Sequence, residues 1–138
     1  MTAKEYLQQA YRLNELISSD EREKAALQEL LTSLPSQDTS KDIVASSKDN
    51  SASFTKIVEK IADLDAQINK EIDRLVDLKS EIRNVINAVP DNDEKLCLRL
   101  RYIELLNWEQ VAEKMNYSTI HATRIHGTAL KHIKIPER

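Results

Sequence analysis

The residues with most chemistry in reach are gathered in one stretch, "ELLNWEQVAEKMNYSTIHATRIHGTALKHI", from Glu104 to Ile133. It holds the chain's one tryptophan, its one glycine and all three histidines. His121, His126 and His132 lie five and six residues apart. On a helix that spacing turns them to different faces, unlike the three- or four-residue spacing of helical metal ligands. Cys97 is alone in the apolar run Leu96, Cys97, Leu98, Leu100, with no base beside it, so a packed thiol is expected and no disulfide. A single glycine cannot build a glycine-rich phosphate loop. Asp63, Asp65, Glu71, Asp73, Asp77 and Glu81 fall on the outside of a helical rod, where a solvated face is the expectation, and no Glu-x-x-His pair offers a bundle metal site. The expectation is therefore no catalytic residue, no metal, no cofactor and no enzyme.

What remains is recognition. In a helix starting near Thr119, Ile120, His121, Thr123 and Arg124 point outward together. They are suited to base edges in a major groove: Arg124 to guanine, Thr123 to a thymine methyl or a mixed edge, His121 as donor or acceptor. Arg99, Arg101, Lys114, Lys131 and Lys134, with Ser118, Thr119 and Thr128, are candidate phosphate contacts, which position a protein and make its affinity salt-dependent. The charge distribution agrees. Residues 1–94 carry 12 Lys/Arg against 19 Asp/Glu, a balance of −7, whereas residues 95–138 carry 8 against 4, a balance of +4. An acidic body with a basic end points to a polyanionic partner for that end, here double-stranded DNA.

The elements that must position this end are all helical: Leu, Ile, Ala, Glu and Lys dominate, and turn-forming glycine is nearly absent. Residues 1–34 read as a first helix. Thr2 and Glu5 form a capping-box pattern, and Tyr6, Ala10, Leu13, Leu16 and Ile17 make a stripe that resumes at Leu27. The stripe lapses at Asp20–Lys24, where a kink or a solvated turn is expected, and Pro35 ends the helix. Residues 35–53 are serine-rich and read as a flexible connector. Residues 54–89 carry about five heptads, the clearest coiled-coil pattern in the chain. Ile57, Ile61, Leu64, Ile68, Leu75, Leu78, Ile82 and Val85 lie on its seam, which Glu71 alone interrupts. They are expected to hold copies of the chain together, a dimer being favoured, and the extra apolar Val58, Ile72 and Ile86 widen the stripe enough to touch a further helix.

Residues 90–138 form the helix-turn-helix end, whose basic part begins at Lys95. Pro90 breaks the rod, a helix starts near Asp91–Asp93 and runs to about Leu106, and Asn107 caps a short helix burying Trp108, Val111, Ala112 and Met115. Asn116 suits a left-handed break. Ser118 then caps a last helix, to about Lys134, burying Ala122, Ile125, Ala129, Leu130 and Ile133. Short helix, three-residue turn and second helix make a helix-turn-helix pattern. Gly127 either permits close approach of another backbone or is tolerated near a fraying end. The fold expected is all-α: a long antiparallel hairpin or coiled coil, then a helix-turn-helix domain. No apolar stretch reaches the roughly 18 residues a membrane span needs, and "MTAKEYLQQAYRL" lacks a signal-peptide core; a soluble cytoplasmic protein is the expectation.

"LRLRYIELLNWEQVAEKMNYS" resembles region four of housekeeping-type bacterial sigma factors, over about Lys95 to Ile133. With "EIDRLVDLKSEI" and "HATRIHGTALK", the chain is similar to a family of small sigma-region-four-like proteins encoded by phages and prophages of Gram-positive bacteria, related to late-gene regulators of the ArpU and RinA type. The resemblance implies a transcriptional regulator, an activator of packaging and lysis genes in a bacterial host, with RNA polymerase as a further partner. This chain departs from sigma factors in having Leu105 and Asn116 where those carry glycine, and in lacking the regions that melt promoter DNA or grip the polymerase core. Two other readings fit the same residues: an adaptor binding polymerase or a phage protein, and a small-terminase-like packaging protein.

Overall fold

The computed structural model describes residues 1–34 and 44–137, with side chains from residue 51 onward in the second stretch. Its elements, among the described residues, are helices alone: α1 (Ala3–Thr32), α2 (Val44–Asn87), α3 (Asn92–Tyr102), α4 (Trp108–Met115) and α5 (Thr119–Lys131). The all-helical expectation holds, with a long helix followed by smaller ones. No helix among these residues is long and apolar enough to cross a membrane. The chain divides into two compact units, Glu15–Ile72 and Met1–Asn14 with Asp73–Arg138.

In the Glu15–Ile72 unit, α1 and α2 run antiparallel. Gln67 Nε2 donates to Asp20 Oδ2 (3.4 Å), and Lys24 Nζ pairs with Asp65 Oδ1 (2.5 Å), so the partners advance in opposite directions. Of the two alternatives expected at Asp20–Lys24, the kink is absent and the stretch is solvated, with Glu21, Arg22 and Glu23 exposed. α1 is unbroken there because the missing apolar stripe is replaced by polar pairing with α2. Glu71, the interruption in the seam, has its carboxyl held above the usual range by hydrogen bonding to Asp20, with burial and the Asp20 charge adding to it. Ile17 and Ile68 are buried here.

α2 starts earlier than expected, and part of its seam is covered within the chain. The connector expected at 35–53 falls partly outside the described residues (35–43), and from Val44 it is helix. Once a helix is nucleated, each added residue gains a hydrogen bond without a new nucleation cost, so a polar segment extends a strong neighbour. The seam is also not wholly available to a second copy. Ile68, Leu78 and Ile82 are buried within one chain and Ile57, Ile61, Leu64, Leu75 and Val85 are half-buried, since α1 supplies an intrachain partner for the stripe. The apolar side chains that α2 leaves exposed lie beside that seam: Phe54, Val58, Ile72 and Val76.

The other unit places the start of α1 and the end of α2 with α3, α4 and α5. Thr2 Oγ1 accepts from Glu5 N (3.1 Å), capping α1 as its sequence implied. Tyr6, Leu7, Ala10 and Leu13 from α1 and Leu78, Ile82 and Ile86 from α2 are buried, at the three- and four-residue spacing of a helix face. Each full burial of a Leu or Ile side chain contributes roughly 1.5–3 kcal/mol, so this junction is a firm base for the smaller helices. α2 ends at Asn87, before Pro90, and Asp91 caps α3 by accepting from Glu94 N (3.0 Å). α3 stops at Tyr102 rather than near Leu106. Leu105 there turns left-handed (φ 58°), and Leu106 N reaches back to Leu100 O (3.1 Å). Cys97, Leu100, Val111, Ala112, Met115 and Ala122 form the core between α3, α4 and α5.

Candidate functional site

Three local devices set the geometry of α4 and α5. Asn107 Oδ1 accepts from Gln110 N (2.9 Å) while Gln110 Oε1 accepts from Asn107 N (3.0 Å), a reciprocal capping box. Asn116 adopts φ 59° and Tyr117 N donates to Ala112 O (3.0 Å), the Schellman way of ending a helix. Ser118 Oγ accepts from His121 N (3.1 Å) and starts α5. Ala112 and Ala122, both buried, leave the short side chains that let α4 and α5 pack closely.

The first turns of α5 project Ile120, His121, Thr123 and Arg124 into solvent, all exposed, with Ile120 at 70%. These four residues are brought together as their spacing implied. Ser118, Thr119 and Lys114 are exposed close by in sequence, at the α4–α5 turn. Thr128 is exposed with its hydroxyl donating to Arg124 O (3.3 Å). Lys131 and Lys134 are exposed at the opposite end, roughly 20 Å along the helix from Ser118. There they line a groove of about 790 Å³ with Val85, Pro90, Glu94 and Ile133. His132 Nδ1 lies 2.5 Å from Glu94 Oε1 at the same groove.

Arg99 and Arg101, expected at phosphates, each engage a partner within the chain. Arg99 Nη1 donates to Asn87 Oδ1 (3.0 Å). Arg101 Nη1 donates to Leu106 O (2.9 Å), and its guanidinium lies over the Trp108 ring at 4.8 Å. Both are half-buried: Arg99 is held by a side-chain amide, and Arg101 by a loop carbonyl and the indole face, on which a guanidinium stacks readily.

One residue of the segment has a role its sequence position concealed. His126 is buried, with Nε2 2.6 Å from the Tyr102 hydroxyl and its ring edge-on to Trp108 (4.7 Å). Burial, with Lys4 and Arg101 nearby, pushes its pKa down to about 4, and burial lifts Tyr102 to about 12. His126 is thus a neutral core residue that joins α3 to α5. Its place four residues after Ala122 and three before Ala129 was the available signal. Leu130 and Ile133, expected buried, are half-buried. Cys97 is the packed thiol expected: Sγ contacts Ala122 O at 3.6 Å, and burial raises its pKa to about 11. Tyr117 was also missed. Its ring stacks on His121 at 4.3 Å and 4° between planes, and its hydroxyl donates to Asp93 Oδ2 (2.8 Å), which holds the phenol above its usual range. No three His, Cys, Asp or Glu side chains among the described residues are grouped to hold a metal.

A family model described as "Protein of unknown function (DUF1492)" matches residues 30–134. The chain belongs to this family. The DUF1492 match takes in α2 to α5 whole, so it spans the seam, the caps and the exposed face of α5 alike. No curated protein and no solved structure matches the chain.

Proposed function

We propose that this DUF1492 protein is a sequence-specific double-stranded DNA-binding transcription regulator in which α4, the turn and α5 act as a helix-turn-helix. The observation that carries the reading is the uncovered leading face of α5. A rigid apolar core and three capping devices project an arginine, a histidine, a threonine and an isoleucine outward from the first turns of one helix. Those are the groups and that is the helix end which read a major groove. Arg124 takes a guanine edge, His121 and Thr123 take mixed edges, and Ile120 meets apolar base surface. Lys114, Ser118 and Thr119 contact phosphates beside the reading turn. The balance of +4 over residues 95–138 supplies the non-specific attraction. The resemblance to sigma region four extends the proposal to activation of phage or prophage late genes.

One head with so small a charge binds weakly, so two copies acting on paired half-sites belong to the proposal. The exposed Phe54, Val58, Ile72 and Val76 of α2 are the side chains on which the copies meet.

Binding of the full chain to duplexes enriched by it from a random pool, measured by fluorescence anisotropy across salt concentrations, tests the reading. Replacing Arg124 by alanine is expected to cost about 1–3 kcal/mol on an enriched duplex, the worth of one good base contact, and to relax preference at one base pair. Replacing Lys114 lowers affinity on all duplexes and reduces the salt slope by about one. An Arg124→Ala variant with unchanged affinity and preference defeats the assignment of α5 as the reading helix.

A further inference from the structure

The turn between α4 and α5 contains a tyrosine that the packing of the core does not require. Asn116, in its left-handed conformation, redirects the chain, and Ser118 starts α5 two residues later. Tyr117 is left on the surface between them. Its side chain is nevertheless constrained at both ends. The hydroxyl donates to Asp93 Oδ2 (2.8 Å) in the first turn of α3, and the ring lies parallel to the His121 imidazole at 4.3 Å. Hydrogen bonds and stacks between exposed groups compete with water and add little to stability. Their consequence is positional. A parallel stack covers one face of the imidazole and leaves its edge open, and the edge carries the nitrogen donor and acceptor atoms.

We propose that Tyr117 is a positioning residue for base recognition: anchored to Asp93, it holds the His121 ring in one orientation, with its nitrogens presented to the groove before DNA arrives. The inference rests on the reading of α5 as the helix that enters DNA. A freely rotating histidine would lose rotamer freedom on binding, and a ring already held does not. Asp93, in the acidic first turn of α3, acts as the far anchor of this three-residue chain and makes no contact with DNA itself.

The test combines a double-mutant cycle with NMR on the full chain. Without DNA, the His121 Hε1 resonance is expected to be displaced by the Tyr117 ring current. Tyr117→Leu abolishes the displacement, and Tyr117→Phe, which keeps the ring but not its bond to Asp93, reduces it. On a duplex enriched by the wild-type protein, Tyr117→Leu is expected to lower affinity roughly three- to tenfold, the effect of freeing one side chain, and Tyr117→Phe to fall between the two, since it keeps the stack but loses the bond to Asp93. In a His121→Ala background Tyr117→Leu has no further effect, since the two residues act as one unit. Equal losses from Tyr117→Leu in both backgrounds would overturn the positioning role while leaving DNA binding intact. An undisplaced His121 resonance in the wild type would refute the stack. A wild-type chain that binds no duplex would instead remove the underlying reading, and the inference with it.

Discussion

Acidification should loosen the three-helix head through His126. In the unfolded chain this histidine titrates near 6.5, and in the fold burial among Tyr102, Trp108 and Arg101 pushes it down to about 4. Above pH 6.5 both states hold the ring neutral, and the folded arrangement contributes its full stability. As pH falls below 6.5 the unfolded state takes up a proton that the folded state refuses, so stability declines until the folded pKa is reached and then levels off. Between pH 7.5 and 5 these two pKa values correspond to a loss of about 2 kcal/mol. With a urea slope of roughly 1–3 kcal/mol/M, the midpoint falls by about 1 M. Trp108, the only tryptophan, packs on His126 and reports this unit by fluorescence. His126→Gln keeps a polar partner for Tyr102 without the titration. Its unfolding midpoint should lie below the wild-type value at pH 7.5 and change far less on going to pH 5. Parallel pH curves for wild type and His126→Gln would refute the argument that burial of this ring controls the acid response.

Three substitutions test the local geometry by thermal or urea unfolding. Asn116→Ala, at φ 59°, should cost about 1 kcal/mol because alanine lacks the short polar side chain that lets asparagine tolerate a left-handed turn, whereas Asn116→Gly, with no Cβ, should be neutral or stabilising. Asn107→Ala removes the reciprocal cap of α4 and should cost about 1 kcal/mol. Gly127→Ala should stabilise α5 by about 1 kcal/mol, since a Cβ there meets nothing within 4 Å. A destabilised Gly127→Ala protein would mean that another body packs closely on that backbone.

The helix ends were the most legible part of the molecule. Asn107, Asn116 and Ser118 act through hydrogen bonds within a few residues of themselves, so residue type and offset carry the information. The exposed set Ile120, His121, Thr123 and Arg124 was equally readable, since helical periodicity alone separates it from Ala122 and Ala129. His126 was not, because its polarity outweighed its position and its partners Tyr102 and Trp108 come from two other elements. Arg99 and Arg101 carried no local sign of the partners the fold gives them, Asn87, Leu106 and Trp108, which come from other elements. The seam of α2 showed its heptads plainly, but a heptad does not state whether its partner lies in the same chain, and here α1 covers much of it. Leu105 gave no local sign of its left-handed turn.

Amide chemical-shift mapping of the isotope-labelled full chain, titrated with an enriched duplex, examines contact between α5 and DNA most directly. The largest changes are expected at Ser118 to Arg124, with smaller ones at Lys114 and Thr128, and all should fade as salt is raised. Changes confined to other helices, or no changes at low salt, would contradict the assignment of α5 as the helix that enters the groove.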